Sequence, residues 1–382
     1  MNIKLMDSNS LQQAVELSDR IFLKQPEQPS METSFPLIFD PGFSHSYGAF
    51  DDKGNLASFM GLVPFTVRAE AANLKVYSIG SVCTDEDNRG KGLAGELLNQ
   101  CKAHAEHSGA SLIFISGGRS LYTRANCRHF GRAMELKLTS KEAAQITDNL
   151  QQSYLIREMS PEDSFSIHEL MEKRTATYVS TVSELDKLLE ASAFANVIRL
   201  EQRVLMAEQD GSIVAFVIMG VPGTKMTPSR PPTLIEWGGD AEAAACILAQ
   251  SLSLYDLEEL IITLPWQDQE LSGLLQSAGC DVDNIQNSGT IYLVNGRELL
   301  RQIAPLLPEE AAGMLQAQGD HGPYLYHNNK ETITLDDEGL LSLLFDPESP
   351  YRKPVTVTDG SEEHSYSLRV IPLPYTAGLQ YI

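Results

Sequence analysis

One stretch of the sequence joins an apolar run to a turn that carries two glycines, an arginine and a lysine. Residues Val76–Thr84 are typical of a β-strand, positions 89–94 read Arg-Gly-Lys-Gly-Leu-Ala, and an amphipathic helix is predicted after them. Such a turn directs backbone N–H groups to one point at the positive end of a helix dipole, which suits an anion, and Arg89 adds a charged donor. The pattern is not a Walker loop, because Asp85 stands where that loop needs its first glycine and glycine follows Lys91.

The same residues carry a family resemblance. Val-x-Thr-x4-Arg-Gly-x-Gly-x-Ala, from strand to turn to helix, resembles the acetyl-coenzyme A (acetyl-CoA) signature of the GNAT N-acetyltransferases. The resemblance implies that the turn amides hold the pyrophosphate of coenzyme A and that the strand backbone pairs with its pantetheine arm. The alternative is a glycine-rich turn with a surface arginine, as many α/β proteins have. The resemblance implies acetyl-CoA as co-substrate, bound by Val82, Cys83, Thr84, Arg89, Gly90, Lys91, Gly92, Leu93 and Ala94.

A second group of polar residues follows a predicted strand that ends at Ile115. Positions 122–127 resemble the Tyr-x-(Lys/Arg)-x-Gly-(Phe/Tyr) pattern of GNAT enzymes, with two departures. Asn126 replaces glycine, and this change is tolerable if the position needs a left-handed backbone, because asparagine adopts that conformation next most readily. Cys127 replaces the aromatic residue. By resemblance Tyr122 is the general acid that protonates the departing thiolate, and a phenol with a pKa of about 10 holds that proton at neutral pH. The alternative is a tyrosine packed on a helix face with its hydroxyl at the surface.

The elements that position these residues occur twice in the chain, as an internal repeat. Residues 49–64 are predicted to form a hairpin whose second strand ends at Pro64, and residues 206–222 repeat that plan with Asp-Gly at the tip. A strand and a helix precede each hairpin; in the second copy Ser160 is the expected N-cap and Pro161 the first helical residue. The matching order favours a duplication over chance.

The second copy lacks the anion-binding pattern. After its middle strand the sequence reads Trp237-Gly238-Gly239-Asp240-Ala241-Glu242, and the two carboxylates would repel a pyrophosphate at the start of the helix. A strand over Glu259–Pro265 and a helix over Gln269–Ala278 are predicted to follow. We therefore interpret this copy as a degenerate GNAT-like domain that is structural or shapes the substrate site.

Changes in composition predict the boundaries. Thr139–Ser153 is polar and is predicted to link the copies, and a third, α+β part begins near Gly289 with a strand over Thr290–Val294 and a helix over Arg297–Leu306. A strand over Glu331–Leu335, a helix over Asp337–Phe345 and apolar segments near the terminus follow. The predicted fold is α/β (α+β): a catalytic domain at 1–140, a degenerate domain at 153–288 and a C-terminal domain at 289–382.

This arrangement resembles the Eis-like acetyltransferases, named for an enhanced intracellular survival protein. By that resemblance, the C-terminal domain is similar to sterol carrier proteins, the protein is a homo-oligomer, and the chain's own terminal carboxylate, on Ile382, is the general base. A C-terminal strand that simply ends at the surface is the alternative. No Glu or His of the first domain has a spacing that identifies a base, since Glu96, His104 and His107 are interpreted as solvated helix residues, and Arg119 and Arg124 as surface or phosphate-adjacent charges.

Composition sets limits on partners and location. A net charge of −22 argues against nucleic acid and anionic membranes and is compatible with a cationic acceptor, although many proteins are acidic for solubility alone. Five scattered cysteines without a Cys-x-x-Cys pair indicate reduced thiols and no metal site. Without a signal peptide or a membrane-length apolar run, a cytoplasmic protein is expected.

The sequence thus predicts an N-acetyltransferase that transfers an acetyl group from acetyl-CoA to a small cationic or peptidyl primary amine by direct attack in a ternary complex. Two other functions stay open. A sensor would bind acyl-CoA without turnover, and a carrier would bind an apolar ligand through the C-terminal domain.

Overall fold

The computed structural model describes residues 1–307, 313–328, 331–352, 355–359, 362–366 and 368–382 of the chain. The chain divides into two compact units, each built from separate segments. Unit 1 comprises Met1–Leu17, Leu37–Arg132 and Gln286–Pro374, and unit 2 comprises Ser18–Pro36, Ala133–Ile285 and Tyr375–Ile382. No helix among the described residues is long and apolar enough to cross a bilayer.

The strands of the described residues are, in chain order, β1 (Asn2–Leu5), β2 (Tyr47–Phe50), β3 (Leu56–Ala69), β4 (Ala72–Thr84), β5 (Leu112–Ile115), β6 (Arg132–Thr139), β7 (Leu155–Glu158), β8 (Ala176–Tyr178), β9 (Glu201–Gln209), β10 (Ser212–Val221), β11 (Thr233–Gly239), β12 (Glu259–Pro265), β13 (Val282–Gln286), β14 (Thr290–Leu293), β15 (Leu315–Ala317), β16 (Tyr324–Asn328), β17 (Glu331–Leu335), β18 (Val355–Asp359) and β19 (Glu362–Tyr366).

The α-helices are α1 (Ser8–Phe22), α2 (Met31–Ser34), α3 (Pro36–Phe39), α4 (Leu93–His107), α5 (Ser120–Arg124), α6 (Ser140–Asn149), α7 (Ser164–Glu172), α8 (Val182–Ala191), α9 (Ala193–Ile198), α10 (Ala241–Leu254), α11 (Gln269–Ser277), α12 (Gly296–Ile303) and α13 (Asp337–Phe345). Short 3₁₀ turns lie at Glu86–Asn88, Pro161–Asp163 and Ala304–Leu306.

The main sheet of unit 1 runs in the order β1-β2-β3-β4-β5-β14. Its neighbours are antiparallel except β4 and β5, which are parallel and are joined by the crossover helix α4. Helix α4 buries Leu93, Leu97, Leu98, Cys101 and Ala105, a helical spacing that forms one apolar stripe. This stripe packs on Met60, Leu62 and Ile79 of the sheet.

The sheet of unit 2 runs in the order β13-β6-β12-β11-β10-β9-β7. The succession of two antiparallel hairpin strands, a third antiparallel strand, a helix and a parallel strand recurs: β2-β3-β4-α4-β5 in unit 1 and β9-β10-β11-α10-β12 in unit 2. The predicted Asp-Gly tip is confirmed, because Asp210 and Gly211 both have positive φ, as a two-residue hairpin turn requires. Ser160 and Asp163 form the reciprocal side-chain cap of a helix start.

Three expectations about elements were wrong in detail. The predicted linker forms helix α6, with Ala143 and Ile146 in the core of unit 2, because Thr139 and Glu142 cap its start. Strand β3 does not end at Pro64 but continues to Ala69, because its pairing with β4 runs from Gly61 to Ala69 and includes Pro64 opposite Tyr77.

The third correction concerns residues beyond Gly289. Strand β14 pairs antiparallel with β5, from Thr290↔Ile115 to Leu293↔Leu112, so the segment predicted to open a separate domain completes the sheet of unit 1. The later predictions are confirmed as elements: β17 and α13 have the predicted bounds, and α12 continues into a 3₁₀ turn that ends at Leu306. The division into three consecutive domains stays a prediction.

Candidate active site

The turn between β4 and α4 has glycine, which carries no side chain, at the two positions where φ is positive. Gly90 and Gly92 have φ values of 76° and 79°, which few other residues adopt. A Cβ atom added at either glycine would meet nothing within 4 Å, so the space above the turn is open. Helix α4 begins directly after Gly92, and no side chain caps its first N–H groups. These N–H groups therefore have no side-chain acceptor, and an anion can accept hydrogen bonds from them.

The charged residues of this turn contact each other only weakly. The Arg89 guanidinium lies 3.4 Å from the Glu86 carboxylate, and both side chains are exposed. The Lys91 ammonium donates to the Asn88 side chain over 2.8 Å. Exposed pairs of this kind contribute little to stability, so both cations can turn toward a bound anion at small cost.

The strands that lead to the turn separate before they reach it. Strands β4 and β5 pair from Val76↔Leu112 to Ile79↔Ile115, and β4 alone continues to Thr84. Strand β5 ends at Ile115, and beyond it the carbonyl of Gly117 accepts a hydrogen bond from the Thr290 hydroxyl over 3.3 Å. On its other side β4 stays paired with β3 as far as Thr84.

One edge of β4 is thus left without a strand partner among the described residues over 80–84. Unpaired N–H and C=O groups on a strand edge can bond an extended amide-bearing ligand, in the way that a peptide adds to a sheet. Val82, Cys83 and Thr84, which the resemblance assigned to the pantetheine arm, all lie on this edge.

Tyr122 lies in the short helix α5 and is 5% exposed. Its ring belongs to the apolar cluster formed by α4 and the sheet of unit 1. Asn126 has a φ of 62°, which confirms that the position taken by glycine in the family pattern needs a left-handed backbone. Cys127 is 0% exposed in the same cluster, so a small thiol occupies the place of the aromatic residue. The catalytic role of Tyr122 stays a prediction.

The other Glu, His and Arg residues discussed in the sequence analysis are exposed, as expected, with one exception. Glu96, Arg119, Arg124 and His107 are exposed. His104 is half-buried instead, and its imidazole contacts Tyr47 and Tyr77 at 3.1 and 3.2 Å. The expectation of a solvated His104 was therefore wrong.

His104 belongs to a histidine–tyrosine cluster made of His45, Tyr47, Tyr77 and His104. The His104 and His45 ring nitrogens are 3.2 Å apart, and His45 lies 3.0 Å from the Tyr77 hydroxyl. Burial, aided by the charges of His45 and His107, lowers the pKa of His104, and burial raises the pKa of both tyrosines. Sequence reasoning missed this cluster because its members come from a loop, two strands and a helix.

The counterpart of the anion-binding turn in unit 2 is closed. The Asp240 carboxylate accepts from the N–H of Ala243 over 2.8 Å and so caps α10, where a phosphate would otherwise bind. A Cβ atom at Gly239 would clash with the carbonyl of Val214, so this glycine serves close strand packing. These contacts agree with the interpretation of a degenerate copy.

A pocket of about 670 Å³ lies between the carboxyl ends of β11 and β12 in unit 2. Asp268 lies at its wall, where the Trp237 indole N–H donates to the carboxylate over 2.8 Å and the Arg174 guanidinium lies 3.3 Å away. Burial raises the pKa of Asp268 despite these partners. Arg174 also pairs with Glu236, so its charge is neutralised. No local pattern indicated this network, because its members are far apart in the chain.

The chain terminus, which the resemblance made the general base, is packed in unit 2. Ile382 is 6% exposed, and the Tyr381 ring lies 6.2 Å from Phe35 and 5.1 Å from Phe194. The N–H of Leu379 is directed at the Glu236 carboxylate over 3.4 Å. The alternative of a strand that ends at the surface does not hold, since Ile382 lies in no strand and is buried.

Comparison with known proteins supports the interpretation of the first domain. Residues 2–130 match the family model described as acetyltransferase (GNAT) domain. No curated protein sequence matches the chain significantly. Residues 2–130 of the chain are therefore a GNAT acetyltransferase domain, and the expectation of an acyltransferase enzyme is confirmed.

Solved structures extend the likeness beyond that domain. A probable N-acyltransferase from Enterococcus faecalis has a TM-score of 0.61 and 14% identity, and the match covers 88% of this chain and 83% of the other. A GCN5-related N-acetyltransferase from Anabaena variabilis has a TM-score of 0.59 and 10% identity, over 90% and 89%. Eis1 from Mycobacterium abscessus has a TM-score of 0.57 and 12% identity, over 88% and 85%. At these identities the matches show a shared fold.

Proposed function

We propose that this protein transfers an acetyl group from acetyl-CoA to a primary amine, by direct attack within a ternary complex. The observation that carries the proposal is the uncapped start of α4 at Gly92, beside the free edge of β4. An anion-binding turn and an unpaired strand edge together fit a ligand that has a pyrophosphate and an amide-bearing arm. Coenzyme A is such a ligand.

The coenzyme would contact the residues that the family resemblance assigned. The turn at 89–94 would hold the pyrophosphate through backbone N–H groups, with Arg89 and Lys91 as mobile counter-charges. The edge of β4 at Val82, Cys83 and Thr84 would pair with the pantetheine arm. Nothing in this arrangement requires a metal ion, because the backbone and two cations neutralise the phosphates.

Tyr122 would supply the proton that the leaving group needs. The amine nitrogen attacks the thioester carbonyl carbon, the C–N bond forms, and the C–S bond breaks. The sulfur takes a proton from the Tyr122 hydroxyl, and the new amide nitrogen loses one proton to a base. The burial of Tyr122 supports this role, because solvent is excluded around the ring.

The Ile382 carboxylate is our proposed base. An ordered, buried terminus supports the idea, since a frayed end could not hold a carboxylate in one place. The Eis-like type, the sterol-carrier-like C-terminal domain, the homo-oligomer and the cytoplasmic location belong to the same proposal and rest on the sequence resemblance and composition.

The acceptor would be a small cationic or peptidyl primary amine, which the net charge of −22 favours. Release of free coenzyme A from acetyl-CoA, measured against polyamines, aminoglycosides and a peptide with a free N-terminus, tests the proposal. Amine-dependent release is the expected result. Tight acetyl-CoA binding without release for any amine would make the protein a sensor and contradict catalysis. Native mass spectrometry of the purified protein would reveal a lipid if it is a carrier.

A further inference from the structure

The pocket of unit 2 exists because two parallel strands separate. In the described part of the chain, β11 and β12 pair only at Thr233↔Ile261, near the start of β11, and each strand then continues without the other toward its carboxyl end. The gap that opens between them holds the pocket of about 670 Å³. A volume of this size is typical of small-molecule sites, which often lie at the carboxyl ends of parallel strands.

The wall of this pocket contains a buried ionic network with unequal numbers of positive and negative charges. The Arg174 guanidinium pairs with two carboxylates, those of Glu236 and Asp268, and the three side chains are between 9% and 12% exposed. No other Lys, Arg or His among the described residues forms an ion pair with either carboxylate. The network therefore has one more negative charge than positive charge, and a buried charge without a counter-charge is unfavourable.

Asp268 is the carboxylate of the network that lines the pocket. The Trp237 indole N–H donates to its Oδ2 atom over 2.8 Å, and the Arg174 guanidinium lies 3.3 Å from the same oxygen. No group of the described residues donates a hydrogen bond to the other oxygen, Oδ1. Burial raises the pKa of Asp268, as expected for a carboxylate whose charge is incompletely compensated. The side chain keeps 12% of its surface exposed, so a ligand in the pocket can reach it.

The remaining side chains of the pocket favour an organic cation. Asp240 and Glu270 add two exposed carboxylates and Lys173 adds one ammonium group, so these residues and the buried network contain four carboxylates and two cations. Apolar side chains, including those of Leu170 and Ile213, line another part of the wall. A metal ion would need several oxygen ligands at one point, whereas a pocket of this size with an apolar wall fits a molecule that has a carbon chain.

We propose that this pocket binds a small organic amine in its protonated form, with the ammonium group at the Asp268 carboxylate. The ammonium would donate to Oδ1 and supply the counter-charge that the buried network lacks, and the carbon chain would lie against the apolar wall. The Asp240 side chain caps α10 at the place where a coenzyme phosphate would bind, so this copy holds the amine without acetylating it. The inference does not depend on the proposed acetyl transfer.

Tryptophan fluorescence reads this pocket directly. Trp237 and Trp266 are the two tryptophans of the chain, so Trp266→Phe leaves the pocket residue as the single reporter. The probes are 1,5-diaminopentane and 1,5-pentanediol, which have the same carbon chain, and only the diamine is charged at pH 7. We expect the diamine to change the emission saturably and the diol to leave it unchanged at about tenfold higher concentration. An equal response to both probes, or no response to the diamine, would overturn the proposal.

A neutral variant tests which group binds the amine. Asp268→Asn keeps the shape of the side chain and an oxygen for the Trp237 N–H but removes the charge, so the diamine affinity measured by calorimetry should fall by about tenfold or more. Asp283→Asn removes one charge from an exposed position of β13 outside the pocket, and it should keep the wild-type affinity.

Wild-type affinity in Asp268→Asn would contradict the site, and an equal loss in both variants would assign binding to the net charge of the protein. If Asp268→Asn does not fold, the comparison of diamine and diol still decides, because it uses a protein with the ionic network intact. Neither measurement includes acetyl-CoA. A protein that binds the diamine but transfers no acetyl group would therefore contradict the proposed function and leave this inference standing.

Discussion

Ile79 of β4 and Ile115 of β5 form the last residue pair of the parallel ladder in unit 1. Beyond this pair β5 ends, and β4 continues to the glycine turn. The separation creates the free edge of β4, and it places Tyr122, just after β5, and the turn, just after β4, on the two branches that diverge.

The first prediction concerns the glycine turn. Gly92→Ala and Gly109→Ala place the same methyl group at the two ends of α4, where φ is 79° and 70° and a Cβ atom would meet nothing within 4 Å. Both variants should therefore lose a similar stability, about 1–2 kcal/mol. Only Gly92→Ala should weaken acetyl-CoA binding, by about tenfold or more, because its methyl group points into the proposed phosphate space.

Isothermal titration calorimetry and thermal unfolding of these two variants provide the measurement. Equal acetyl-CoA affinity for Gly92→Ala and Gly109→Ala would remove the turn from the binding site. A large loss for both would mean that strain in α4 acts on the site indirectly.

The second prediction concerns Tyr122. Removal of its hydroxyl in Tyr122→Phe should lower kcat by about 10²-fold and leave acetyl-CoA affinity unchanged, because the phenol acts only when the thiolate departs. Tyr292→Phe is a matched control, since Tyr292 packs against the same apolar cluster. Coenzyme A release under saturating amine measures both variants. Wild-type kcat in Tyr122→Phe would assign the ring to packing alone.

The third prediction concerns the terminal carboxylate. A semisynthetic protein that ends in Ile382 carboxamide keeps the buried side chain but loses the charge, so a base at this position predicts a loss of kcat of about 10²-fold or more. Ile382→Ala keeps the carboxylate and removes part of the packing, and it should retain most of the turnover. Unchanged kcat for the carboxamide would show that the terminus only packs against unit 2.

Much of the candidate site followed from local patterns in the sequence. The Arg-Gly-x-Gly-x-Ala turn, the left-handed Asn126 and the Asp-Gly tip at Asp210 were all predictable, because each depends on the backbone freedom of one or two residues. The end of a strand is harder to predict. Pro64 was predicted to end β3, but the pairing with β4 extends past it to Ala69, and that pairing involves a separate segment of the chain.

Features built from distant segments were not predictable. The pairing of β14 with β5 and the Arg174–Asp268 network each depend on which segments meet, and no spacing along the chain encodes that. The segment after Thr139 was predicted as a linker because it is polar, and the capping pair of Thr139 and Glu142, which marks a helix start, was missed.

The histidine–tyrosine cluster gives the last prediction, on pH and stability. Burial lowers the pKa of His104 in the folded protein, whereas in the unfolded chain a histidine takes up its proton at about pH 6.5. As the pH falls through about 6.5, His104 therefore becomes protonated in the unfolded chain while it is still neutral in the folded protein. The free energy of unfolding decreases as a result. The decrease stops once the pH lies below the folded pKa.

His104→Gln keeps a polar partner for Tyr47 and Tyr77 but cannot titrate, so its stability should fall less than that of the wild type between about pH 7.5 and about pH 5.5. Urea unfolding at both pH values measures the difference, with His129→Gln as the control, because His129 is exposed and is not part of the cluster. An identical pH dependence in His104→Gln and the wild type would show that His104 is protonated equally in the folded and unfolded states.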